Sequence, residues 1–321
     1  MSDLPKRVDI HEEGPREGVQ ISARVLSTAD KVRFIEALAN TGVAEINCVS
    51  FVNPKRVPNM ADAEAVAEQL SKRDDVRYSG LWLNMGGFER ATKTKLDLSG
   101  LILLSASEAF SIANTGKGTE DTIAEQRAML ARYKDASIPV EWASIMTAFG
   151  CNFGGDVPVS SVVSMAANAL DLAGEQGITL RGLRLADTVG WATPRSIERV
   201  VSAIRERWPS LRIGLHLHDT RGCGVANAYA GLQVGVDQFD SSCAGLGGCP
   251  FAGHRGAAGN VCTEDLVFMC EEMGISTGVD LERMVECAQL AEEIFGAPLP
   301  GKLMHAGTLA RFRRAASKQG V

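Results

Sequence analysis

Arg212-Ile213-Gly214-Leu215-His216-Leu217-His218-Asp219-Thr220 is the stretch on which the reading of this chain turns. A short apolar run closing on two histidines has the make-up of a buried strand whose last residues emerge into a site. Side chains two apart on a strand share a face, so His216 and His218 project together while Leu215 and Leu217 face the other way. A single histidine is more often a satisfied polar residue, but two imidazoles aimed at one point form half of a metal site. The oxygen ligands must then come from elsewhere in the chain.

Outward from that strand the sequence alternates. Helix Pro194 to Trp208 precedes it, and helix Val225 to Val234, strand Gln238 to Ser241 and helix Thr263 to Met273 follow. Upstream, strand Arg7 to Ile10 leads through the polar turn His11 to Gln20 to a helix capped by Ser27 or Thr28, with Val32, Ile35, Leu38 and Ala39 at helical spacing and Gly42 at its end. Strand Ala44 to Val49, helix Asp62 to Leu70, strand Tyr78 to Leu83, helix Gly87 to Thr94, strand Leu101 to Leu104, helix Thr119 to Tyr133, strand Val140 to Ile145, helix Ser160 to Glu175 and strand Leu183 to Ala186 complete the series. Eight strands alternating with eight helices, without a linker or composition break, predict an α/β protein of the (β/α)8 TIM-barrel type; a doubly wound open sheet is the alternative. Residues 1–321 then form a single catalytic domain, with extra C-terminal helices over 275–321 (Asp280 to Ile294 and His305 to Ala316) packed on the barrel or on a partner subunit.

The chain has 321 residues, 45% hydrophobic and 22% charged, enough for a large core. A net charge of -6 and a pI near 5.5 argue against nucleic acid as a partner, because neutralising phosphates needs an excess of Lys and Arg. Apolar runs such as Leu101 to Leu104 are too short to span a membrane, and no apolar targeting segment follows Met1 to Arg7; a cytoplasmic location is expected. The eight cysteines include no C-x-x-C pair and read as reduced, mostly small core residues. Cys249 is set apart by its surroundings.

Active sites of such barrels lie at the C-terminal ends of the strands. Arg16 and Glu17 follow the first strand, Glu45 lies in the second, Asp187 ends the sixth, and the glycine-rich segment Ala244 to Asn260 follows the eighth. His216, His218, Glu17 and a side-chain carbonyl from Asn260 make a mixed N/O set suited to Mg²⁺ or Mn²⁺, with Zn²⁺ as the alternative. Glu13 and Gln20 compete with Glu17, since a glycine-flanked turn does not fix which side chain points inward. Asp219 is a candidate to orient a histidine. Arg16 either stabilises an oxyanion or pairs with an acid such as Glu45. Asp187 is either a base or a buried, hydrogen-bonded support. Gly245 to Gly259 reads as a mobile loop over the site, carrying Cys249 beside His254 and Arg255, cations that favour a thiolate.

Five stretches then carry a resemblance: Gly14 to Gln20, Ser50 to Met60, Asp187-Thr188-Val189-Gly190, His216-Leu217-His218-Asp219-Thr220, and Asp240-Ser241-Ser242-Cys243-Ala244-Gly245-Leu246-Gly247-Gly248-Cys249-Pro250-Phe251-Ala252. Over nearly its whole length the chain resembles the 3-hydroxy-3-methylglutaryl-CoA lyase family, metal-dependent lyases on TIM barrels, and the last stretch is similar to that family's cysteine-loop signature. The resemblance implies that Glu17, His216, His218 and Asn260 bind a divalent cation, that Arg16 contacts substrate and that Cys249 is catalytic; the reading of the strand ends adds Glu45 and Asp187 as further catalytic candidates. It implies retro-Claisen cleavage of a 3-hydroxyacyl-CoA, giving acetyl-CoA and acetoacetate from the familiar substrate; the two surplus C-terminal helices suggest a homodimer. A lyase for another branched 3-hydroxyacyl-CoA, a synthase joining acetyl-CoA to a 2-oxo acid, and a non-catalytic acyl-CoA-binding barrel are the alternatives. This chain departs from the pattern at Glu17, where Asp is usual, at Ile21-Ser22-Ala23-Arg24 in place of Asn-Glu-Lys, at Arg221 in place of Tyr, and in a longer loop after Phe251.

Overall fold

The computed structural model describes residues 4–248 and 259–318, with side chains to residue 314. Eight strands form one parallel sheet: β1 (Asp9–Glu12), β2 (Glu45–Ser50), β3 (Arg77–Leu81), β4 (Gly100–Ser105), β5 (Val140–Met146), β6 (Gly182–Ala186), β7 (Arg212–His216) and β8 (Gln238–Ser241). Their order is β3-β2-β1-β8-β7-β6-β5-β4, so the first and last strands pair and curl the sheet into the expected barrel. The open seam of the ladder lies between β3 and β4 instead.

Helices coat the outside for the reason their sequences gave. Helix Pro194–Arg207 starts from a Thr193–Ser196 capping box with Pro194 in its first turn, and buries Ile197, Val200, Val201 and Ile204, one stripe at helical spacing. Each such side chain, removed from water, contributes about 1.5–3 kcal/mol. The seam is closed by side chains rather than by a ladder. Gln126 of helix Thr119–Asp135 accepts from the Leu103 amide at 3.0 Å, Asp97 accepts from the Tyr78 amide at 2.8 Å, and the Trp82 indole donates to the Tyr133 hydroxyl at 2.6 Å. The first two bonds satisfy backbone amides that an unpaired strand edge would leave open.

Three local readings are revised. The segment after β1 is not an irregular turn but a wide helical turn, Gly14–Gly18, running into Val19–Ile21. A helix at Glu108–Thr115 follows β4, unanticipated because its eight residues sit between stronger signals. The second C-terminal helix is two pieces, Leu303–Ala306 and Leu309–Lys318, separated by Gly307 with φ 79°. Before them, helix Leu281–Phe295 packs against helix Thr28–Ala39 and the turn Cys243–Gly245, with Phe295 edge-on to Phe34. Among the described residues no helix is long and apolar enough to cross a membrane, and the seven described cysteines are all unpaired.

The lumen is polar where barrels of this type are usually filled with branched apolar side chains. A cavity of about 310 Å³ at the N-terminal end is lined by Asp9, Glu45, Arg77, Arg181 and Arg212, and another of about 250 Å³ lies at the C-terminal end. Beside the latter, the turn after β8 holds Ala244 in the left-handed region at φ 59°. Two buried carboxylates keep it there. Glu12 of β1 accepts from the amides of Gly14 (2.8 Å) and Cys243 (2.9 Å) and from the Thr263 hydroxyl (2.7 Å), and Glu264 accepts from the Ala244 amide at 3.0 Å. Burial pushes the Glu12 carboxyl up to about 8 and that of Glu264 up to about 7, against the donated hydrogen bonds. An acid whose affinity for protons rises on folding stabilises the fold below its ordinary value of 4.5, and that contribution is lost as pH rises through 8. Glu12→Gln is therefore expected to flatten the fall in urea midpoint between pH 4.5 and 8; an unchanged slope would show that Glu12 is not the group responsible.

Candidate metal centre and active site

Because Gly14–Gly18 begins directly after β1, it delivers Arg16 and Glu17 to the C-terminal mouth. The Glu17 carboxylate stands 3.5 Å from His216 Nε2 and 3.7 Å from His218 Nε2, and accepts from Asn260 Nδ2 at 2.5 Å. His218 and Asn260 are themselves joined by a backbone bridge. Candidate ligand atoms of Glu17, His216 and His218 all lie within 4.8 Å of one another, a group able to hold a metal ion. Two further features fit a cation. Both ring nitrogens of His218, which is 3% exposed, and Oδ1 of the fully buried Asn260 have no hydrogen-bond partner, a costly state for buried polar atoms that metal coordination relieves. Gly247 closes the floor at φ 91°, where a Cβ would stand 2.5 Å from Asn260 Nδ2 and 2.9 Å from Glu17 Cβ.

The histidines are oriented by the strand register. His216 and Asp240 are direct neighbours across β7 and β8, and His216 Nδ1 lies 3.0 Å from Asp240 Oδ2, which also pairs with Arg184 Nε at 2.9 Å. A proton on Nδ1 donated to Asp240 leaves the Nε2 lone pair facing Glu17, an arrangement typical of metal-binding histidines. The charges reinforce one another. Burial pushes Glu17 up, but the Arg16 guanidinium and the two imidazoles outweigh it and hold the carboxyl well below the usual range. Burial pushes His216 down, and Glu17 and Asp240 together reverse the shift.

The competition within the first turn is resolved by direction. Glu17 faces the histidines, Glu13 binds Arg16 and the Asn47 amide (3.1 Å), and Gln20 accepts from the Ser50 hydroxyl at 2.8 Å. Arg16 is clamped between Glu13 and Glu17, the latter at 2.8 Å, and not against Glu45. Glu45 requires correction. It is the first residue of β2, so it lies at the N-terminal rim, 3.9 Å from both His11 and Arg77 and opposite the metal group. Membership of the strand was legible, but the active end of a parallel strand begins five residues later. Asp219 does not orient a histidine either; it accepts from the Gly224 amide at 2.6 Å and caps helix Gly224–Gln233. Asp240, quoted in a motif but assigned no role, does that work, and only the register could have revealed it.

Asp187 uses Oδ1 to accept from the amides of Trp191 (2.7 Å) and Ala192 (2.9 Å), while Oδ2 is buried without a partner. Burial pushes its pKa up. Its neighbours Ala186 and Thr188, rather than Asp187, line the C-terminal cavity. Arg221 donates to the carbonyls of Val189 (3.0 Å) and Gly190 (2.7 Å) and so fixes the turn that follows. Cys249, His254 and Arg255 lie outside the described residues. The cavity itself joins Arg16, Glu17, Gln20, His216 and His218 on one side to apolar side chains of β3, β4 and β5 on the other.

The family described as HMGL-like matches residues 7–291. A hydroxymethylglutaryl-CoA lyase of Bacillus subtilis is 38% identical over 298 residues, 93% of this chain and 96% of that protein. The mitochondrial hydroxymethylglutaryl-CoA lyase of Homo sapiens is 36% identical over 89% of this chain and 85% of its own. The crystal structure of the Bacillus subtilis HMG-CoA lyase superposes with a TM-score of 0.87 at 37% identity, covering 94% of this chain and 98% of that one. An HMG-CoA lyase from Acinetobacter baumannii, in complex with coenzyme A and 3-methylmalate, superposes with a TM-score of 0.86 at 34% identity, covering 96% and 97%. The matched residues 7–291 run from β1 into the helix Leu281–Phe295 and take in Glu17, His216, His218 and Asn260; the chain is a lyase and belongs to the HMGL-like family.

Proposed function

We propose that this chain cleaves the C2–C3 bond of a 3-hydroxyacyl-CoA, 3-hydroxy-3-methylglutaryl-CoA foremost, to acetyl-CoA and acetoacetate. The observation that carries this reading is the convergence of Glu17, His216 and His218 on a cavity at the C-terminal mouth of a lyase-family barrel, with Asn260 hydrogen-bonded to Glu17 behind them and unpartnered buried polar atoms on His218 and Asn260. Those four side chains would hold Mg²⁺ or Mn²⁺, oxygen-preferring ions that tolerate two imidazoles. The bound ion would supply Lewis-acid polarisation of substrate oxygens.

The rest is assigned to the protein. The C3 hydroxyl gives up its proton to solvent, the C2–C3 electron pair moves onto the thioester as an enolate, and C3 becomes a ketone. Arg16, already desolvated between two carboxylates, offers permanent positive charge to that enolate oxygen. The Cys249 thiol protonates C2 and is reprotonated from solvent, so protons balance over the cycle. Asp187 holds the turn after β6 rigid beside the histidines, and Asp240 holds His216 in its tautomer. Glu45 takes no part.

Exposed Leu309 and Phe312 on the last helix support a homodimer, and the unpaired thiols of the seven described cysteines suit a reducing, cytoplasmic setting. A coupled assay of acetyl-CoA release, with 2-oxo acids plus acetyl-CoA as the condensation control, tests the reaction; condensation without cleavage would replace the lyase with a synthase. His216→Ala is expected to lose bound metal by elemental analysis, and full metal content would remove it from the ligand set. Cys249→Ser is expected to keep fold and metal while kcat falls by about 10²-fold or more; an unchanged kcat would remove the thiol from the cycle.

A further inference from the structure

We infer that the cavity at the N-terminal end of the barrel binds an α-amino acid with a large apolar side chain. The site lies at the opposite end from the metal group and does not rest on the lyase reading. Its rim is charged: Asp9, Glu45, Arg77 and Arg212 are the first residues of β1, β2, β3 and β7, and Glu141 of β5 and Arg181 before β6 join them. Most of these charges satisfy one another. Arg212 donates to Asp9 at 2.6 Å and to Asp237 at 2.9 Å, and Arg181 donates to Glu141 at 3.1 Å. Deeper in, Glu13 is paired with Arg16, and Arg184 with Asp240. Glu45 and Arg77 are different. They are neighbours in register across β2 and β3, yet the Arg77 guanidinium stands 3.9 Å from the Glu45 carboxylate and 3.6 Å from that of Glu141, too far for a hydrogen bond. His11 gives Glu45 no proton either. Its Nδ1, 3.9 Å away, lies 3.3 Å from Arg184 Nη2, which can only donate, so that nitrogen is an acceptor.

One carboxylate and one guanidinium thus face the cavity side by side without a hydrogen bond to each other. A lone anion or a lone cation would leave one of them unmatched, whereas an ammonium and a carboxylate carried on one carbon match both. The rest of the lining selects the side chain. Inward residues alternate along β3 as Arg77, Ser79 and Leu81, charged at the rim, small in the middle and apolar beyond. Leu101, Trp82, Tyr133 and Trp142 extend that apolar part. Gly182 makes room for Trp142: a Cβ there would stand 2.3 Å from the indole, so the ring lies against the backbone of β6. An ion-pair network alone accounts for the rim but not for an unfilled, partly aromatic space beneath it, because interiors pack without voids of this size. At about 310 Å³ the cavity reaches the range of small-molecule sites, about 300–1,000 Å³, with its polar groups at one end and its apolar groups at the other.

The full chain, loaded with Mn²⁺, is titrated by calorimetry with methionine, isoleucine and phenylalanine, and with glycine, aspartate and lysine as controls. The apolar members are expected to bind with Kd of about 1 mM or tighter, and glycine about tenfold more weakly or worse. Phenethylamine and phenylpropanoate, which are phenylalanine without its carboxylate and without its amine, are each expected to lose about tenfold or more in affinity. Glu45→Gln and Arg77→Gln are expected to do the same to phenylalanine binding. Ser79→Trp, which fills the cavity and keeps both charges, is expected to abolish it, and thermal unfolding of each variant shows that the fold is retained; the Ser79 variant carries the test if a charge variant unfolds. A panel in which no amino acid binds at about 1 mM or tighter overturns the inference, and is the result expected if the rim serves stability alone. Binding that Ser79→Trp leaves untouched, or that an uncleavable acyl-CoA displaces competitively, puts the amino acid elsewhere and overturns it too. Neither result bears on the lyase reading, which the acetyl-CoA release assay decides.

Discussion

A carboxylate kept ionised inside the protein is the constraint on which the C-terminal mouth depends. Glu17 is removed from bulk water, which by itself would favour its neutral form. It stays charged because Arg16 lies on one side and two imidazoles on the other, contributed by chain segments at opposite ends of the sequence. The pairing of β1 with β8 brings those segments together, since β7 then stands two strands from the turn that carries Glu17. The barrel therefore closes at β1–β8, where the charges meet, and leaves its seam at β3–β4, where no ligand is contributed. Glu12 ties the same closure from below, accepting from the turns after β1 and β8 together.

From this closure follows a division of the lumen. Strands β7, β8, β1 and β2 supply imidazoles, carboxylates and amides, and β3, β4 and β5 supply leucines and a methionine. On the polar side Arg184 pairs with Asp240, Asp240 with His216, and Glu13 with Arg16 and Asn47, while Arg16 Nε, Asn47 Oδ1 and Asp240 Oδ1 are left without a hydrogen-bond partner. Unpartnered atoms in a network of this kind are costly, and those of His218 and Asn260 are the ones that lie beside Glu17, where a bound cation would satisfy them. The apolar side has no such network and can be reshaped one side chain at a time.

Much of this was legible in the residues. The 3.6-residue stripes and their caps placed the helices, the apolar runs placed the strands, and the two-residue spacing of His216 and His218 aimed both rings at one point. What failed did so for two physical reasons. Glu45 was misread because a strand's composition does not say which rim a given residue occupies; its direction and length do, and Glu45 is the first residue of six. Asp219 was preferred to Asp240 because it is adjacent in sequence, while the contact that matters runs across the ladder.

That second error shows which information a single sequence withholds. In a parallel sheet each residue has a neighbour set by register, and a shift by one residue turns the neighbour to the opposite face. His216 meets Asp240 because Gly214 stands against Gln238, two residues earlier on the same ladder. Local preference cannot encode that alignment, since neither segment contains the other's position. It is imposed by closure: once β8 must pair with β1 on one side and β7 on the other, the axial position of Asp240 is fixed from both edges. The contact of His216 Nδ1 with Asp240, and with it the direction in which Nε2 faces Glu17, is a consequence of the whole barrel rather than of the stretch that announces it.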